Sequence, residues 1–137
     1  MKAHIVTPYD IHVMLCYSYP QDKLERLQRT AEEFEFHVRV LTDSDLCNTV
    51  GNLMAGRGSG SADYSPVNAG VEALIFSPLK EKQLYPLIDA LSANKANTDY
   101  KAMMSPVNAE MELDDFITVI MEEHRQMHNA AQAAKKE

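Results

Sequence analysis

His12-Val13-Met14-Leu15-Cys16-Tyr17 and Val71-Glu72-Ala73-Leu74-Ile75-Phe76 are the most continuously apolar strand-like runs in the chain, and each leads into a serine followed closely by a proline. Short apolar runs bounded by turn signals read as strands buried on both faces. After the first run, Leu24, Leu27, Ala31 and Phe34 recur at steps of three or four, with Lys23, Glu25, Arg26, Arg29, Glu32 and Glu33 between them. That spacing predicts an amphipathic helix. Phe36, Val38 and Val40 then alternate with His37 and Arg39, the pattern of a half-buried strand. Thr42-Asp43-Ser44-Asp45 reads as a capping box with Thr42 as the cap, opening a short helix that turns Leu46, Val50 and Leu53 inward.

The second run is followed by the same order of elements. Leu84, Leu87, Ile88 and Leu91 mark a helix, and Pro86 places its start near Lys82–Tyr85 or kinks it. Tyr100–Met104 is a strand, Ser105-Pro106-Val107-Asn108 a turn, and Leu113, Phe116, Ile117, Ile120 and Met121 the inner stripe of a last helix. Residues 12–54 and 71–127 thus form two similar β-α-β-α halves of one domain spanning residues 1–137. Tyr17-Ser18 matches Phe76-Ser77, and Leu41-Thr42 matches Met104-Ser105. The Gly- and Ser-rich stretch from residue 55 to 70 reads as a linker, and residues 129–137, with no large apolar side chain, as a flexible tail.

This alternation predicts an α/β fold with one four-stranded sheet in the order 2-1-3-4, the two apolar strands central and residues 36–41 at an edge. A fully parallel sheet would carry helices on both faces. Antiparallel halves would give the alternative, a two-layer ferredoxin-like α+β fold with one sheet face open. That open face would favour a homodimer.

Composition narrows the classes of function. The 137 residues hold 13 Lys+Arg against 20 Asp+Glu, a net charge of −7 that opposes nucleic acids and anionic membranes. No apolar run approaches a membrane span, and no secretory signal is expected from the N-terminal residues. Two cysteines are too few for a disulfide scaffold, so a reducing cytoplasm is expected.

Candidate site residues are sparse. Ser18 and Ser77, at equivalent places after the central strands, would flank a ligand crevice in a parallel sheet, or else cap the next helices. Asn108 is a turn residue and a candidate ligand contact. His124 and His128, four apart on one helix, have the spacing of two metal ligands. Cys47, in the first turn of its helix, is a candidate reactive thiol, and Cys16 a core residue. Gly56-Arg57-Gly58-Ser59-Gly60 lacks the strand before and helix after that a phosphate loop needs. Glu110, Glu112, Asp114, Asp115, Glu122 and Glu123 form an acidic segment without Lys or Arg, suited to a basic partner. No nucleophile–base pair is visible, and no cofactor is implied.

Residues 71–127 resemble the core of an uncharacterised bacterial family, the domain of unknown function 3783. The likeness rests on Leu74-Ile75-Phe76-Ser77, Leu84 with Leu87-Ile88-Asp89-Ala90-Leu91, Lys101-Ala102-Met103, Pro106-Val107-Asn108 and Met121-Glu122-Glu123-His124. Leu15-Cys16-Tyr17 and Val40–Leu46 are similar to the region that precedes this core in longer members. Met111 and Glu112 stand where the family places a Trp followed by Thr or Ser. The resemblance implies a bacterial source and α/β architecture, and no activity. Together these observations predict a cytoplasmic, non-catalytic protein-interaction or regulatory module. The alternatives are a small-ligand sensor at the ends of the central strands and a protein that binds metal through its last helix.

Overall fold

In the computed structural model, which describes residues 12–58 and 63–135, the chain forms one four-stranded sheet between two layers of helices. The elements in order are β1 (His12–Tyr17), α1 (Gln21–Glu33), β2 (Phe36–Leu41), α2 (Val50–Met54), β3 (Ala73–Phe76), α3 (Glu81–Ala93), β4 (Lys101–Met103) and α4 (Leu113–Lys135), with 3-10 turns at Asp43–Cys47 and Asn108–Glu110. The strand order is β2-β1-β3-β4. The sequence expectations for residues 1–11 and for Ser59-Gly60-Ser61 lie outside the described residues.

β1 pairs with β2 in parallel and β3 with β4 in parallel, while β1 and β3 meet antiparallel, Leu15 opposite Ile75 and Cys16 opposite Leu74. Both faces are nevertheless covered. Val13, Leu15, Tyr17, Ala73 and Ile75 pack with Val50 and Leu53 of α2 and Leu113, Phe116, Ile117 and Ile120 of α4. Met14, Cys16, Leu74 and Phe76 pack with Leu27 and Ala31 of α1 and Leu87 and Leu91 of α3. The sequence-level choice between a parallel three-layer sheet and an antiparallel two-layer one was therefore too narrow, and the ferredoxin-like alternative does not apply. The handedness of the crossovers explains this. Each parallel pair is joined by a β-α-β unit running outward from the sheet centre, and crossovers of one hand in antiparallel halves put α1 and α3 on the same face. α2 and α4 follow the outer strands and fold back over the other. With no open sheet face, that reason for a homodimer lapses.

Local structure corrects several boundaries. α3 starts at Glu81, one residue before the expected Lys82–Tyr85 window, and Pro86 lies inside it as the sixth residue, on the exposed side. Ser18 and Ser77 cap no helix. α1 is preceded by Pro20 without a side-chain cap, and α3 by Lys80. The expected box at Thr42 is present, with Thr42 N–H donating to Asp45 at 2.8 Å. Met111 packs against the α2/α4 core, and its carbonyl accepts from Val50 N–H.

Candidate functional site

The antiparallel meeting of β1 and β3 separates Ser18 from Ser77. Ser77 continues β3 beside the start of β1. Its N–H donates to the Val13 carbonyl at 2.8 Å, and its Oγ accepts from Val13 N–H at 2.9 Å. Ser18 follows the far end of β1, exposed and in the left-handed region at φ 62°. The two serines lie at opposite ends of the sheet and flank no common crevice.

Around Ser77 there is nonetheless a cavity of about 500 Å³, bounded by the start of β1, the ends of β3 and β4, and α2. Its walls are carbon-rich, from Val13, Met54, Ala55, Met104, Pro106 and Ala109, with His12, Ser77 and Ser105 as polar groups. Gly51 forms part of the wall because α2 presses on the Asn108–Glu110 turn. A Cβ at Gly51 would come within 3.0 Å of the Ala109 carbonyl oxygen. Asn108 lies outside this lining and holds the turn together. Its side-chain oxygen accepts from Ser105 N–H at 2.7 Å, and its amide donates to the Met103 carbonyl at 3.1 Å.

Of the acidic segment, Glu110, Glu112, Asp115, Glu122 and Glu123 are exposed, but Asp114 is 2% exposed. The Asp114 carboxylate accepts from Tyr64 Oη at 2.6 Å, Val67 N–H at 2.7 Å, and the main-chain and side-chain N–H groups of Asn68, both at 3.0 Å. Asn68 also donates to Thr118 Oγ1 at 2.9 Å. Burial pushes the Asp114 pKa up, but these donors outweigh it and hold the carboxyl below the usual carboxylate range. Tyr64 is pushed up in turn, chiefly because its hydroxyl donates to that carboxylate. Residues 64–68, part of the expected linker, are thereby tied to α4. Sequence reading missed this node. The one signal pointing to it was the repeat of Ser-Pro-Val-Asn at 65–68 and 105–108.

Past Met121, α4 leaves the sheet. Every side chain from Glu122 to Ala133 is exposed, Met127 at 74%. The helix continues through Lys135, across most of the expected tail. His124 and His128 line one shallow groove beside Tyr100, whose ring meets His124 edge-on at 5.3 Å. Among the described residues no group of three or more His, Cys, Asp or Glu is placed to hold a metal, so the pair has no third protein ligand there. Glu122 pairs with Arg125 on the same helix.

Neither thiol is paired in a disulfide. Burial, with the charge of Glu72, pushes Cys16 up to about 12. Cys47 is half-buried, and its Sγ donates to the Ser44 carbonyl at 3.3 Å.

Compared with known proteins, the chain matches no family model, no curated protein and no solved structure.

Proposed function

We propose that this protein is a non-catalytic interaction module that presents α4 to a basic partner in a bacterial cytoplasm. The observation that carries the reading is the half of α4 beyond Met121, whose side chains from Glu122 to Ala133 are exposed and which, among the described residues, meets the body through the shallow groove where His124 touches Tyr100. Residues 122–135 make about 20 Å of helix, and isolated helices of that length are marginal in water. A partner along that segment would supply the packing it lacks. Asp115 and Glu122 fall at helical spacing on the side of α4 away from Leu113, Ile117 and Ile120, and Glu112, just before the helix, is exposed as well. The bacterial source rests on the sequence likeness of residues 71–127 to the domain of unknown function 3783 alone, which no family model match backs, and it adds no activity.

Photo-crosslinking in bacterial cells tests this. A crosslinking residue at position 115 or 123 is expected to trap one dominant partner with a basic surface, and one at Lys82 on α3 to trap none. Equal or absent adducts at the three positions would sink the reading.

A second reading, a small-ligand sensor, is favoured by the cavity around Ser77. Its size and carbon-rich lining are those of small-molecule sites.

A further inference from the structure

The polar groups of that cavity indicate what it would hold. A hydroxyl offers one proton and two acceptor positions. Ser77 Oγ already accepts from Val13 N–H, and Ser105 Oγ from Asn108 N–H at 3.2 Å. Among the described residues, neither hydroxyl donates to any acceptor. Both protons remain available at the cavity surface. His12 adds a ring that can donate, and among the described residues no Asp or Glu lines the cavity, although the chain is acidic overall. The described lining therefore offers two unspent hydroxyl protons and no anionic side chain, against walls of methionine, alanine, valine and proline carbon.

We propose that this cavity binds a small molecule with an apolar body and a hydrogen-bond-accepting head, a carboxylate or carbonyl oxygen held between Ser77 and Ser105. The inference rests on the sensor reading and adds the class of ligand. An amine head is disfavoured by the same argument. A cationic ammonium brings only donors, leaves both hydroxyl protons without an acceptor, and finds among the described lining no carboxylate to neutralise it.

The test follows the methionine methyl signals of the full chain in NMR titrations with octanoate, 2-octanone and octylammonium. Met54 and Met104 line the cavity and report occupancy there, while Met127 on α4 serves as an internal control. Saturable shifts at Met54 and Met104 are expected with octanoate and 2-octanone. Octylammonium is expected to bind at least about ten-fold more weakly, the worth of one good hydrogen bond to a charged group. Ser105→Ala and Ser77→Ala are each expected to weaken octanoate about ten-fold without affecting octylammonium. Ser77→Ala also removes the acceptor for Val13 N–H, so Ala55→Leu, which fills the cavity from its exposed side, is the second variant and is expected to abolish all binding. Equal binding of octylammonium would overturn the ligand class and leave the sensor reading standing. Absence of saturable shifts with all three probes at about millimolar concentration would overturn both.

Discussion

Asp114 shows how far one residue's role can depart from its neighbours'. It stands in a row of acids, yet its carboxylate is buried and accepts from Tyr64, Val67 and Asn68, fixing residues 64–68 against the first turn of α4. Asp114→Asn removes the charge and leaves buried N–H donors poorly matched. It is expected to cost about 2–4 kcal/mol in urea unfolding at pH 7. The sign of the pH effect follows from the lowered folded pKa. The ionised form is the favoured one in the fold. Its stabilisation is complete above the unfolded value of about 3.9 and is lost as pH falls through the lower folded value. The gap between wild type and Asp114→Asn should therefore narrow below about pH 4, and a gap unchanged from pH 7 to pH 3 would contradict the role. The two thiols separate by burial in the same way. Cys16 is 1% exposed inside β1, whereas Cys47 is half-buried at the end of a 3-10 turn. An aromatic disulfide reagent is expected to modify Cys47 in the native protein and Cys16 only on unfolding.

Pro86 sits within α3, where its ring excludes the hydrogen bond to the carbonyl four residues earlier, and it faces solvent. The exposed ring borders a shallow surface groove and is not part of the buried core. Pro86→Ala is expected to raise stability by about 1–3 kcal/mol, read as a higher urea midpoint with an unchanged slope. α4 divides differently. Its first turns bury Leu113, Phe116, Ile117 and Ile120, and the rest is exposed. Ending the chain after Arg125 should remove helical signal from the far-ultraviolet spectrum while changing the unfolding free energy by under about 0.5 kcal/mol. A larger loss would mean that the segment packs on the body. The amphipathic spacing made the inner stripe of α4 legible in the sequence. The helical run beyond it was not, because alanine-, lysine- and glutamine-rich segments form helix or fray according to what lies before them.

At the scale of the whole molecule, the defining feature is the antiparallel contact of two parallel strand pairs. It places Ser18 and Ser77 about 17 Å apart along the sheet, five residues of strand at the usual rise. Ser18→Cys with Ser77→Cys is expected to resist disulfide formation under mild oxidation, since bridged Cα atoms must lie within about 7 Å. Ready formation of that bridge would refute the topology. The same contact leaves the ends of β3 and β4 beside the start of β1, and the cavity around Ser77 exists only because of it. Of the candidate ligand residues, only Ser77 lies on that cavity. His12, Met54 and the adjacent pair Met104 and Ser105 come to it from three places in the chain, and no spacing in the sequence joins them.

The sequence alone determined the α/β class, the strand order, the central and edge strands and the inner faces of the helices. Those follow from local periodicity, which is written residue by residue. The tertiary structure alone decided the relative direction of the halves, the covering of both sheet faces, the withdrawal of Asp114 from the surface and the site around Ser77. Strand direction depends on pairing between residues some sixty positions apart, and an apolar strand reads the same whichever way its neighbour runs.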